Sequence, residues 1–283
     1  MKRKKLKKFF KDKLFNLYQE GHGKSKQKGI HNETPYIHSH STHKTYQSQC
    51  AHFAEFCYAQ GIKYPGEEKA LIVPYIEHLK ASGKSPFTIY TAACALAKVY
   101  GCSTEDFGIT FPKRERVSIR RSRLIAKRDT TFSEENNRAL IEFCRSTGLR
   151  RSELTALRGS DLRVNGDKVF VHVKQGKGGK SRNVEVIGDV KGVVKIMKEA
   201  GNGLAFPAGI PSHMDVHSYR SQYACEYYRK YARPLKNIPQ EDKYICRKDK
   251  AGTVYDKKAM AKTSLQLGHN RISVIAGNYL YNL

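Results

Sequence analysis

The stretch that decides the fold runs over residues 146–162 and reads STGLRRSELTALRGSDL. Upstream of it, Ser133 is a candidate N-cap for a helix with an apolar inner side. Downstream, residues 168–174 and 182–186 alternate as half-buried strands do, and the glycine-rich run 176–181 between them predicts a hairpin turn. A helix followed by an antiparallel hairpin indicates a domain that mixes α and β structure.

Basic residues dominate the composition. The 283 residues include 52 Lys and Arg against 26 Asp and Glu, a formal charge of +26. Such an excess is typical of proteins that bind polyanions, nucleic acid above all. An anionic membrane surface is the competing interpretation, but no run approaches the roughly 20 apolar residues of a spanning helix, and no signal peptide opens the chain. We therefore expect a cytoplasmic, nucleoid-associated protein.

The chain offers little that would hold a cofactor. Its seven cysteines are widely spread and never form a C-x-x-C pair, so neither a disulfide framework nor a zinc knuckle is indicated. A metal site at His38, His40 and His43 is a weak interpretation beside that of a polar loop. No acidic cluster of the type that holds two catalytic cations occurs. We expect neither a metal nor a cofactor.

Four segments are predicted along the chain. Residues 1–41 form a basic arm and linker, and the first 13 residues, eight of them Lys or Arg, suit either a basic amphipathic helix or a disordered arm. Residues 42–111 repeat apolar side chains at helical spacing and form a small all-helical domain. Residues 112–129 are a basic interdomain linker, and residues 130–283 form the second domain. The predicted fold class is α+β, mainly α with a small antiparallel sheet.

Two further stretches combine residues suited to phosphate chemistry. Residues 216–224 read VHSYRSQYA, in which His217 and Arg220 are three apart and share a helix face. Residues 267–281 read LGHNRISVIAGNYLY. Taken alone, such histidines are core or surface residues, and a tyrosine such as Tyr279 in an apolar C-terminal segment is a packing residue.

The first stretch and the turn also have plainer interpretations. An arginine in a helical turn, such as Arg150, is usually a surface residue, and Glu153 would be its solvated neighbour. In the turn, Gly179-Lys180-Ser181 looks like the end of a phosphate-cradling Walker loop, but the first glycine of that motif falls on Lys174. The Walker interpretation is therefore rejected.

Taken together, the stretches resemble the tyrosine recombinases, the family of phage and conjugative-element integrases. TGLRRSEL is similar to the first signature box of that family, and GKGGKSR to its lysine-bearing β-hairpin. HSYR and LGH followed by a tyrosine are similar to the second and third boxes. The second box departs at Tyr219, where Leu is usual, and at Ser221, where a second His is usual. The resemblance covers about residues 42–281 and implies a helical, SAM-like core-binding domain at 42–111 and a catalytic domain at 130–283.

The resemblance implies a clamp for the scissile phosphate. Arg150 and Arg220 would hold it, because the rigid fork of a guanidinium binds two phosphate oxygens at once. His269 would donate a further hydrogen bond to the phosphate.

It also implies a nucleophile and two groups that move protons. Tyr279 would attack the phosphate while His217 accepts its proton, and Lys177 would protonate the departing 5′ oxygen. Lys180 is the alternative lysine. The ten-residue spacing from the LGH histidine is one more than is common, so Tyr281 is the alternative nucleophile.

The implied function is that of a site-specific recombinase or integrase that inserts or excises a mobile element. Its partners would be double-stranded DNA attachment sites, three further copies of the chain in a homotetramer on synapsed DNA, and accessory DNA-bending proteins, without a membrane. The alternatives are a catalytically inactive DNA-binding protein of the same fold and a type IB topoisomerase-like activity. Between Arg220 and His269 the chain is longer than compact relatives need, and an added hairpin turning at residues 250–252 is predicted there.

Overall fold

The chain is divided into two compact units, Met1–Ser122 and Arg123–Leu283. The computed structural model describes residues 5–19, 34–115, 132–176, 179–247, 250–280 and 283. In that part of the chain the first unit is helical, and all five strands belong to the second. The predicted fold class, mainly α with small antiparallel sheets, is confirmed.

The first unit has one core to which four helices contribute. Leu6, Phe10 and Leu14 are at most 1% exposed, and the Phe10 ring lies 5.7 Å from that of Phe53. The N-terminal basic segment is therefore an amphipathic helix within this core, and the helical unit begins well before residue 42, the boundary expected from the sequence. The helices are α1 Leu6–Asn16, α2 His40–Ala59, α3 Ile72–Ala81 and α4 Pro86–Tyr100.

Helix α4 shows how local sequence sets these boundaries. Ser85 accepts a hydrogen bond from the Thr88 amide at 3.2 Å, and Pro86 occupies the first turn, where its missing N–H costs nothing. The helix ends at Gly101 in the left-handed conformation, with a φ of 66°. Its predicted inner face is buried, as shown by Ile89, Ala92, Leu96 and Val99.

The second unit combines six helices with two small sheets in its described part. Helix α5 begins at Arg138 rather than directly after Ser133, because Ser133 instead caps a short 3-10 turn through the Asn136 amide, 3.2 Å away. The helices are α5 Arg138–Thr147, α6 Arg151–Ala156, α7 Val190–Ala200, α8 Val216–Tyr231, α9 Lys257–Gln266 and α10 Ile272–Asn278. The strands are β1 Leu162–Asn165, β2 Lys168–Val173, β3 Arg182–Glu185, β4 Lys243–Ile245 and β5 Val254–Asp256.

Both sheets are antiparallel. The first has the order β1-β2-β3, and Val171 of β2 faces Val184 of β3, both fully buried. The predicted hairpin is thus confirmed in its two strands, while β1 was not predicted. The second sheet pairs β4 with β5, Tyr244 opposite Tyr255, as expected for the added hairpin.

Neither a membrane span nor a metal centre is found in the described residues. No helix there is long and apolar enough to cross a membrane. No three His, Cys, Asp or Glu side chains in that part converge as a ligand set. His43, one of the three clustered histidines, is instead buried and stacks on Tyr18 with ring centroids 4.5 Å apart.

Candidate active site

Helix α8 places Arg220 at the centre of the second unit. Asp215 accepts hydrogen bonds from the amides of His217 and Ser218, both at 3.1 Å, and so starts the helix directly before the motif. Arg220 is only 1% exposed. Its three guanidinium nitrogens donate to the Tyr279 hydroxyl at 3.2 Å, to the Leu267 carbonyl at 2.5 Å and to the Gly148 carbonyl.

The guanidinium of Arg220 lies in an electropositive, dehydrated place. Burial lowers the pKa of Arg220, and the neighbouring charge of Arg150 lowers it further, whereas the hydroxyl of Tyr279 raises it. An arginine stays protonated in proteins even so. The site therefore holds a buried positive charge whose donors all meet neutral oxygens, an arrangement that attracts an anion.

Arg150 converges on the same point from the start of α6. Its Nη2 donates to the Leu267 carbonyl at 2.9 Å, so one oxygen accepts from both arginines. Its Nη1 donates to Glu153 at 2.7 Å. The two arginines predicted to clamp one phosphate are thus neighbours.

Tyr279 follows α10 directly and is 4% exposed. Its hydroxyl lies 3.1 Å from Nε2 of His269 and 3.2 Å from Nε of Arg220. The rings of His217 and His269 lie 5.4 and 5.5 Å from the tyrosine ring. Both imidazoles therefore lie beside the phenol, and that of His269 is within hydrogen-bond distance of its hydroxyl.

Five of the six predicted site residues are brought together: Arg150, His217, Arg220, His269 and Tyr279. Lys177, the sixth, and Tyr281, the alternative nucleophile, lie outside the described residues. Lys180, the alternative lysine, lines a cleft with Ser181, Arg182 and His269, so the base of the hairpin reaches the third box.

Glu153 was given no role in the site by the sequence interpretation, whose plainer alternative made it a solvated neighbour of Arg150. Its carboxylate is 1% exposed and accepts both ends of the Arg182 fork, at 2.9 and 2.8 Å. It also accepts from the side chain of Arg150 and, at 2.8 Å, from its amide. Burial raises the pKa of the Glu153 carboxyl, but the hydrogen bonds and charges of the two arginines outweigh it and lower the pKa to about 2.

Arg182 was missed as well, although it closes the GKGGKSR stretch. Besides its fork to Glu153, its Nε donates to the Gln266 carbonyl at 2.8 Å, at the end of α9. One side chain therefore links β3, α6 and the helix that precedes the third box. The sequence offered one indication of this role: Arg182 ends the glycine-rich stretch and is the first residue of the strand that follows it.

The two departures in the second box have structural partners. Tyr219 donates its hydroxyl to Glu134 at 3.0 Å, which joins α8 to the turn before α5. Ser221 donates to the carbonyl of Tyr279 at 3.0 Å. Both side chains therefore have hydrogen-bond partners within the second unit.

Known proteins resemble the chain in sequence over part of its length. The family model described as the phage integrase family matches residues 121–203, which include the first box and the hairpin. A protein of Caldanaerobacter subterraneus subsp. tengcongensis, named as a candidate tyrosine recombinase, is 27% identical over 154 residues, 49% of this chain. The chain spans about half of that relative's length, 52%.

Solved structures resemble it over nearly the whole chain. The XerH site-specific recombinase bound to a palindromic difH substrate superposes with a TM-score of 0.57 at 15% identity, covering 98% of this chain and 91% of that one. The lambda integrase tetramer bound to a Holliday junction gives 0.52 at 16% identity, covering 95% and 75%. At these identities the likeness concerns the fold. The sequence match to the phage integrase family thus covers the first box and the hairpin, and the fold is shared with these recombinases over nearly the whole chain.

Proposed function

We propose that this protein is a site-specific DNA recombinase that cuts and rejoins strands through a 3′-phosphotyrosyl intermediate, with Tyr279 as the nucleophile. One observation carries the proposal. The buried hydroxyl of Tyr279 lies within hydrogen-bond distance of both Arg220 and His269, beside the carbonyl that Arg150 and Arg220 share. A packing tyrosine needs no such surroundings.

The positive groups suit a phosphorane. Attack on a phosphodiester produces a pentacoordinate phosphorus with added negative charge on its equatorial oxygens. The N–H groups of Arg150 and Arg220 that do not donate within the protein would bind those oxygens, and His269 would supply a further donor. Because the donors are already fixed by neighbouring carbonyls, little reorganisation accompanies binding.

The proton and bond changes balance within the chain. The oxygen of Tyr279 bonds to phosphorus as its proton passes to His217, and the bond from phosphorus to the 5′ oxygen breaks. Lys177 gives a proton to that oxygen. The energy of the phosphodiester is kept in the phosphotyrosine, and attack by a 5′ hydroxyl of a second strand reverses the steps.

DNA binding would rest on charge. The formal charge of +26 supports contacts to many phosphates, and the helical unit with the basic run 112–129 would close on duplex DNA. The XerH structure holds a difH substrate, and the lambda integrase structure is a tetramer on a junction. By likeness, this chain would act as a tetramer on two DNA sites and move a mobile element.

Covalent trapping tests the proposal. Nicked duplexes that carry a site the protein binds lose the short strand after cleavage, so the adduct accumulates and is seen on a denaturing gel. The adduct is expected with the native protein and with Tyr281→Phe, and its complete loss with Tyr279→Phe. Loss only in Tyr281→Phe would move the nucleophile by two residues. Tight binding to the duplex without any adduct would instead support the inactive DNA-binding alternative.

A further inference from the structure

The main chain around Tyr279 is held by side chains from outside its own helix. Its carbonyl accepts from Ser221 Oγ at 3.0 Å and from Cys225 Sγ at 3.3 Å, one helical turn apart on α8. The carbonyl of Leu280 accepts from the Tyr255 hydroxyl at 2.9 Å and from the Leu283 amide at 3.2 Å. These carbonyls follow the end of α10 and would otherwise lack helical partners.

Tyr255 is itself fixed in place. It lies on β5 of the added hairpin, is 4% exposed, and packs edge-on against Tyr228 with ring centroids 5.7 Å apart. The Tyr228 hydroxyl accepts from the Asp256 amide at 2.9 Å, which ties the end of β5 to α8. The Tyr255 hydroxyl that donates to the Leu280 carbonyl is therefore held in place by the contacts between β5 and α8.

The residue after Tyr255 reaches the other end of the third box. Asp256 caps α9 by accepting from the Lys258 amide at 2.9 Å, and it is held by Arg233 at 2.7 and 2.8 Å. Helix α9 leads directly to Leu267 and His269. One short strand thus supports both sides of the segment that carries the histidine and the tyrosine.

We propose that the β4–β5 hairpin and helix α8 together position the nucleophile, with Tyr255 on β5 fixing the carbonyl of Leu280 and Ser221 on α8 fixing that of Tyr279. The inference rests on the proposed function of Tyr279. Helix α10 has only seven residues and therefore makes few hydrogen bonds of its own beside the tyrosine. Fixing the carbonyls of Tyr279 and Leu280 keeps the tyrosine hydroxyl between Arg220 and His269 before DNA binds.

The expected effect is on chemistry rather than on binding. Misplacement of a reacting group by about 1 Å costs on the order of 100-fold in rate. Tyr255→Phe removes one hydroxyl and keeps the ring contact, so adduct formation at saturating DNA should slow about 10- to 100-fold with unchanged DNA affinity. Ser221→Ala should act in the same direction, and Ser221→Thr, which keeps a hydroxyl, should recover most of the rate.

The test measures adduct formation on nicked DNA together with amide hydrogen exchange of residues 275–283 in the full chain without DNA. Tyr244→Phe, on the strand facing Tyr255, is the matched control and should leave both unchanged. Faster exchange confined to this segment, with slower adduct formation in Tyr255→Phe, supports the proposal. Unchanged exchange, or faster exchange with an unchanged adduct rate, overturns it.

Two further outcomes are separable. If Tyr255→Phe accelerates exchange throughout the second unit, its effect is on folding and the positioning role is rejected. If the native protein forms no adduct on DNA that it binds, the proposed function fails. The exchange comparison then still decides whether Tyr255 orders the chain around Tyr279.

Discussion

The two sides of the candidate site are held by different forces. On the α6 side, the carboxylate of Glu153 lies between the forks of Arg150 and Arg182, with side-chain exposures of 1, 19 and 10%. On the α8 side, the guanidinium of Arg220 donates to uncharged oxygens, the Tyr279 hydroxyl and the carbonyls of Leu267 and Gly148. The α6 side therefore depends on charge and on the protonation of Glu153, whereas the α8 side depends on where the main-chain carbonyls lie.

Removing the carboxylate should have the largest effect. Glu153→Gln leaves two arginines facing each other without a buried counter-charge, and we expect a loss of about 3–5 kcal/mol in the free energy of unfolding. Urea denaturation measures it. The matched control is Glu142→Gln, which breaks an Arg–Glu pair of the same i,i+3 spacing but 36–37% exposed, and should cost less than about 1 kcal/mol. Equal losses in the two variants would remove the distinction between the sides.

Acid should weaken the charge-held side next. The pKa of the Glu153 carboxyl is about 2, below its usual 4.5. Since the folded pKa is the lower one, its contribution is complete above pH 4.5 and is lost as the pH falls towards 2. It amounts to about 3 kcal/mol. Urea titrations from pH 6 to pH 2 should show the native protein losing this advantage over Glu153→Gln. A constant difference between the two proteins would contradict the low pKa.

The α8 side should respond to crowding of its main chain. Gly148 has a φ of 58°, its carbonyl accepts from Arg220, and a Cβ there would overlap the Tyr223 ring. Gly148→Ala should therefore destabilise by about 2–3 kcal/mol. Gly101→Ala, at a similar φ of 66° with no atom near the added carbon, should cost only about 1 kcal/mol. Thermal unfolding compares the pair, and matching losses would show that the close approach to Tyr223 is unimportant.

Salt should give the smallest effect. Raising NaCl from 0.1 to 1 M shortens the screening length from about 10 to 3 Å. Because Glu153 is buried, the difference in stability between native protein and Glu153→Gln should change by less than about 0.5 kcal/mol. Urea denaturation at both salt concentrations measures it, and a larger change would mean that water reaches the carboxylate.

Much of this arrangement could be predicted from the sequence because local signals agree with it. Apolar spacing predicted the inner face of α4, and alternation predicted β2 and β3. The positions of Arg150, Arg220, His269 and Tyr279 followed from their boxes, although their roles stay predictions.

The rest depends on partners distant in the chain. Glu153 bonds to Arg182, 29 residues away in the chain, and Tyr255 bonds to Leu280, 25 residues away. The sequence around these residues contains no pattern that predicts either pair. Strand β1 has four residues and lacks the alternation of buried and exposed positions that would distinguish it from a loop. The basic N-terminal segment suited two structures equally, and only the core that receives Leu6, Phe10 and Leu14 decides for a helix over Leu6–Asn16.

The shared Leu267 carbonyl has a consequence for how the site tolerates genetic change. Both arginines donate to this oxygen, and Arg220 donates also to that of Gly148. These acceptors belong to the polypeptide backbone, so every amino acid at those two positions still supplies them. A point mutation can displace such an acceptor but cannot delete it. A substitution at Gly148 or Leu267 therefore affects the hydrogen bonds of the two arginines by moving the acceptor, as Gly148→Ala is expected to do, and not by removing it.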